Sequence, residues 1–299
     1  MKRDQLLADA ALLLVAAIWG ATFVMVQDAV SGFPVFAFLA LRFSLAALAL
    51  LPFYAGARRW RPVPAGAASS GGTGVHALLP GLLVGLALFS GYAFQTFGLR
   101  DTTPAKAGFI TGLSVVMVPL GQAIFMRRPP GRGPALGVGL ATVGLGLLTL
   151  QADLSVSRGD LLVLSCAVSF AAHILLVGRF APHWHPLRLA LVQIATVAVL
   201  SSVAAATWDR PIGWPAGNGW FAAAFTGLLA TSLAFFLQSR AQQATTPTHT
   251  ALIFAAEPVF AGLFSFLLVG EVMGPRQIAG SALILAGMLA AEISGRVQA

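Results

Sequence analysis

Glu257 and Arg42 are the acid and the base of this sequence that fall in the middle of long apolar runs. The other nine of its ten carboxylates, and the other seventeen of its eighteen lysines and arginines, lie in loops or near run ends. An ionised group at the centre of a bilayer costs about 2.5–3.5 kcal/mol on insertion scales, so such residues pair with each other or do work. Two readings stay open. Glu257 and Arg42 join two helices as a buried ion pair, or they face one cavity and serve gating or proton coupling.

Weaker polar groups recur along the same runs. Trp19, alone among six tryptophans, sits well inside a run, with Thr22 one turn on. Ser165, Ser169 and His173 follow at i, i+4 and i+8, which makes one polar stripe. Thr111 and Ser114 share a face, and Gln95, Gln193 and Gln238 add amides. Serine and threonine also bond helix carbonyls or join helices, and His173 fits either a proton relay or helix packing. Together these residues predict a cavity that is polar but nearly uncharged, suited to zwitterions or small neutral molecules. A phosphate-ester site would want several internal lysines or arginines. Pro258 directly after Glu257, and Pro119 among Gly108 and Gly112, are candidate hinges, because an internal proline removes a helix hydrogen bond; kinked packing would use them as well. The sequence "GLSV" (112–115), with His173 or His249 as base, loosely suggests an intramembrane serine hydrolase. "HWH" (183–185) lacks a third ligand, so no metal site is expected. Nor does a phosphate-binding loop support ATP-driven work, and nothing calls for a cofactor.

Those residues need a membrane around them. Apolar types make up 58% of the 299 residues and charged types 9%, whereas soluble domains run to roughly 25% charged. The net charge of +8 sits in short loops, which points to membrane orientation and away from nucleic acid. The spacing predicts an all-α integral membrane protein with ten transmembrane helices: 6–27, 33–55, 76–98, 104–126, 133–150, 159–180, 187–207, 218–239, 247–269 and 274–293. The first run is too long for a signal-peptide core and reads as a span. A Pro/Gly/Ser-rich stretch makes a linker over 56–75. With both termini cytoplasmic, twelve basic residues fall inside and five outside.

The chain also repeats itself. "TTPAKAGFITGLSVVMVP" starts at Thr102 and "TTPTHTALIFAAEP" at Thr245, 245 − 102 = 143 residues later. Gln95 precedes the first as Gln238 precedes the second. "PALGVGLATVGLGLL" from Pro134 matches "PRQIAGSALILAGML" from Pro275. The halves are 1–150 and 151–299. Five spans is an odd number, so the second half enters from the opposite side, an inverted-topology repeat of the kind common in secondary transporters.

With "AAIWGATFV" (16–24), "GLRDTTPAKAGFITGLSVVMVPL" (98–120) and "ALIFAAEPVFAGLFSFLLVGE" (251–271), the sequence resembles the EamA-type transporters of the drug/metabolite transporter superfamily over its whole length. Bacterial amino-acid and drug exporters are the nearest fit. The resemblance implies a two-fold of inverted halves, a central cavity between them, and helices five and ten at the periphery. The expectation is a non-enzymatic inner-membrane carrier that exports amino acids or similar small metabolites by alternating access. A multidrug or lipid-like exporter of the same fold is the alternative. Proton coupling and oligomeric state stay open; Gly81 and Gly85 form a small-xxx-small pair that could join helices within or between copies.

Overall fold

A computed structural model of the chain describes residues 2–60, 78–125, 127, 129–149, 156–209, 215, 217–269 and 273–297. Most of the expected linker, and Glu271 of the third motif, lie outside the described residues. Among those residues every regular element is helical. Helices α1 (Lys2–Gly20), α2 (Phe23–Gly32), α3 (Val35–Trp60), α4 (Leu79–Asp101), α5 (Pro104–Gly112), α6 (Ser114–Phe125) and α7 (Arg132–Thr149) come from the first half. The second half gives α8 (Arg158–Phe180), α9 (Pro186–Trp208), α10 (Gly219–Gly227), a π-helical segment (Leu228–Leu233), α11 (Ala234–Ala241), α12 (Pro247–Phe254), α13 (Glu257–Val269) and α14 (Pro275–Val297). Among the described residues six helical runs are long and apolar enough to cross a membrane, seven if the bent pair α1–α2 is one span.

Four expected spans are thus interrupted where the sequence reading drew them whole. The first turns at Thr22, whose hydroxyl donates to the Trp19 carbonyl at 2.8 Å and competes with the helix ladder. The eighth widens into the π-helical segment. The fourth and ninth break at nearly the same place in the repeat, Leu113 and Ala255, each with φ −61° and ψ −13°. Gly112 precedes the first break. Pro258 follows the second, and without an N–H it cannot bond the Phe254 carbonyl across the gap. Pro119 lies inside α6, six residues beyond its break, so the discontinuity is not at that proline.

The starts of α5 and α12 match as well. Pro104 and Pro247 occupy the first turn, where a missing N–H removes no bond. Thr103 accepts from the Lys106 amide and Thr246 from the His249 amide, both at 3.2 Å. Helix α8 opens with a capping box between Ser157 and Asp160.

Glycines set the helix directions. A methyl group on Gly137 would lie 2.6 Å from the Gly287 carbonyl oxygen, and one on Gly144 would lie 2.5 Å from that of Gly280. The contacts run in opposite order along the two chains, so α7 and α14 are antiparallel, with backbones too close for side chains between them. By the same reasoning α4 is antiparallel to α8, where Gly98 meets Val163 and Gly91 meets Phe170. It is parallel to α9, where Gly81 meets Val192 and Gly85 meets Thr196. The Gly81/Gly85 pair therefore joins two helices of one chain. Helix α6 packs on α12 and α5 on α13, which sets the two broken runs head to tail.

Candidate functional site

The broken runs and the turn after α1 meet around a central cavity of about 70 Å³. Trp19, Thr22, Arg42, Gln95, Thr111, Ser114, His173, Gln238 and Glu257 all line it, as do Gly108, Gly112 and Pro258. Helices α1, α3, α4, α5, α6, α8, α11 and α13 and the Thr22 turn supply those residues, while α7, α9 and α14 supply none. Three sequence candidates stand elsewhere. The hydroxyls of Ser165 and Ser169 bond the carbonyls of Leu161 and Ser165 on their own helix, at 3.2 and 2.8 Å. Gln193 is fully buried behind the cavity wall. The expected stripe along α8 therefore reaches the cavity only at His173.

Arg42 is 2% exposed, and neutral groups hold it. Its Nε donates to Thr231 Oγ1 at 2.8 Å and its Nη2 to the Tyr92 hydroxyl at 3.2 Å. The guanidinium carbon also lies 4.6 Å from the Tyr92 ring centroid, within cation–π range. Thr231 belongs to the π-helical segment, as does Ala230, whose carbonyl accepts from the Trp19 indole at 2.8 Å. That local widening therefore orients two cavity residues on other helices. Trp19 stacks obliquely on Phe254 at 4.8 Å and on Phe235 at 5.7 Å.

Glu257 opens α13 just past the break, and its half-buried carboxylate has no hydrogen-bond or ion-pair partner among the described residues. The acid and base that stood out in the sequence thus face one cavity without joining. His173 Nε2 lies 2.7 Å from Gln193 Oε1; since an amide oxygen only accepts, the ring donates from that nitrogen. Gln193 then donates to Ser239 at 3.2 Å.

Polar contacts tie the elements at both ends of the molecule, and one end also holds a wide cavity. At one end Gln27 donates to the carbonyls of Leu99 (3.1 Å) and Thr102 (3.4 Å). There Thr102 and Lys106 also bond Asp160. At the other end lies a cavity of about 790 Å³, lined by Gln122, Arg179, Gln242 and the Thr245–Pro247 turn among others.

The sequence of the EamA-like transporter family matches this chain twice, over residues 6–150 and 157–291. The chain belongs to that family. It is 33% identical to an uncharacterized transporter of Archaeoglobus fulgidus over 287 residues, 95% of this chain and 85% of the relative. It is 26% identical to the uncharacterized transporter YyaM of Bacillus subtilis over 220 residues, 69% of this chain and 70% of that one. A solved crystal structure superposes with a TM-score of 0.78 at 19% identity, covering 97% of this chain and 98% of the other, and so shares its fold. The protein is a multi-pass membrane transporter.

Tyr92 in the cavity wall, and Gln242 and Thr231 behind it, escaped sequence reasoning, as did the lining rings of Phe170, Phe235 and Phe254. Tyr92 is one of only two tyrosines and sits mid-span, which was a usable signal. Gln242 lies one turn after Gln238, also usable. Thr231 carried none, because nothing in "GLLATSLAFF" announces a π-helical widening.

Proposed function

We propose that this transporter exports amino acids or similar small zwitterionic metabolites by alternating access. The observation that carries the reading is the pair Arg42 and Glu257, a base and an acid lining one cavity without bonding each other. A zwitterion brings a carboxylate for the spare guanidinium donors and an ammonium for the free carboxylate, so it completes both. Aromatic rings of Trp19, Tyr92, Phe170, Phe235 and Phe254 leave room for an apolar side chain between the charges.

Ten crossings in two inverted halves, 1–150 and 151–299, are the topology of this proposal. The antiparallel contact of α7 with α14 and the head-to-tail packing of α5–α6 against α12–α13 support it. A wide cavity at one end, with polar ties at both ends that can exchange, supports alternating access, with Gly112, Pro258 and the helix breaks beside them as hinges. The positive-inside bias favours an inner membrane with both termini cytoplasmic, which sets the wide cavity on the cytoplasmic side.

Efflux from proteoliposomes preloaded with labelled amino acids tests the reading, run with and without an imposed pH gradient. Saturable efflux is the expected result, and failure of well-folded protein to move any amino acid overturns it. The five rings favour a second reading, an exporter of apolar drugs or lipid-like molecules. Efflux of such compounds with no competition by amino acids would establish that one.

A further inference from the structure

We infer that Gln238 is the specificity-determining acceptor for a protonated amine on the substrate, with Gln242 as its positioning residue. The inference rests on the proposed site and adds what one end of it reads. A chain of hydrogen bonds fixes the direction of two amides. The Ile174 carbonyl can only accept, so Gln242, 3.0 Å away, must turn its Nε2 toward it. That leaves Gln242 Oε1 as an acceptor, and Gln238 Nε2 donates to it at 3.0 Å. Gln238 therefore presents its oxygen on the remaining side. The side chain is 1% exposed, lines the central cavity, and its Oε1 is a buried atom with no partner among the described residues.

An unpartnered buried acceptor is costly, and it selects for whatever donates to it. Hydroxyls, neutral amines and ammonium groups all donate. Glu257 decides among them, because a free carboxylate on the same cavity favours the donor that carries positive charge. The ring of Trp19 lines the same space and favours a cation for the same reason. Gln242 also lines the wide cavity, so the bonded pair of amides spans from one cavity to the other.

The test compares L-valine, its des-amino analogue 3-methylbutanoate and its des-carboxy analogue isobutylamine, on wild type and on Gln238→Met, Gln242→Met and Gln242→Glu. In proteoliposomes wild type is expected to prefer valine to 3-methylbutanoate by roughly tenfold or more, the worth of one hydrogen bond to a charged group. Gln238→Met loses that ratio. Gln242→Met lowers it, since the neighbouring amide is then free to turn. Gln242→Glu keeps it as the protonated acid, whose O–H donates to the Ile174 carbonyl while the other oxygen accepts from Gln238. Unfolded variants are recognised by size-exclusion chromatography, and binding is read separately as the melting-temperature shift that isobutylamine causes in purified protein.

A shift in wild type that Gln238→Met abolishes upholds the inference even if valine is not carried, in which case the amino-acid reading alone falls. No shift in wild type, or an equal shift in Gln238→Met, overturns it. So does a valine preference that survives in Gln238→Met, which would mean that water satisfies the amide oxygen.

Discussion

Lys106 and His249 hold the same position in the two halves, 249 − 106 = 143 residues apart, and each reaches an aspartate of the helix that opens the other half. Lys106 Nζ lies 3.8 Å from Asp160 Oδ2 on α8, and His249 Nε2 lies 3.0 Å from Asp9 Oδ1 on α1. Each follows a threonine N-cap by three residues, and the head-to-tail packing puts the two contacts at opposite ends of the molecule. The second is an ion pair only when the imidazole is protonated, so the repeat has kept the place and changed the strength.

These contacts tie the halves together where a carrier must open. Cys166, the sole cysteine, is buried with its sulfur 3.9 Å from Thr111 Oγ1 of the cavity wall, so its thiol reports opening. Asp160→Asn is expected to speed its reaction with a membrane-impermeant maleimide by roughly tenfold, from the Lys106 side. Asp9→Asn should act from the opposite side. Equal labelling of wild type and both variants would show that the contacts do not hold the ends closed.

Glu257→Gln keeps the shape of the carboxylate and removes its charge. The variant should reach the membrane at wild-type levels and lose roughly tenfold or more in amino-acid affinity, measured as the KM of efflux. An unchanged KM makes the residue structural.

Arg42→Lys retains a positive charge but not the fork that spans Thr231 and Tyr92. A folded protein with a raised KM is expected, whereas Arg42→Ala should also lower the yield, since it strips a buried network. If both variants transport as wild type does, the guanidinium has no part in the site.

The α7–α14 contact permits no side chain at its crossings. Gly137→Ala is expected to destabilise by about 1–3 kcal/mol, the usual range for overfilling a packed contact. Gly139→Ala, where a methyl group would meet nothing within 4 Å, should melt like wild type. Thermal unfolding of the purified proteins separates them, and equal melting temperatures would contradict the close approach.

Much of the site was legible because a membrane makes polar groups conspicuous. Arg42, Glu257, His173 and Gln238 stand out against a background that is 58% apolar, and each lines the cavity. The repeat was legible through prolines and glycines, whose backbone requirements do not vary with lipid contact. The stripe on α8 misled, because a hydroxyl in an apolar setting has its own helix carbonyl within reach, and sequence spacing cannot tell that bond from one across a cavity.

By itself the sequence determined that the chain is a helical membrane protein of two related halves and that few polar side chains stand deep within it. Composition and periodicity decide those matters, being properties of each segment against its solvent. Only the tertiary structure decided that Arg42 and Glu257 share a cavity without pairing, that a π-helical turn holds Arg42 and Trp19, and that the buried amide oxygen of Gln238 has no partner among the described residues. Those facts depend on which atoms of distant segments come within about 3 Å, and on the direction in which hydrogen bonds must then run.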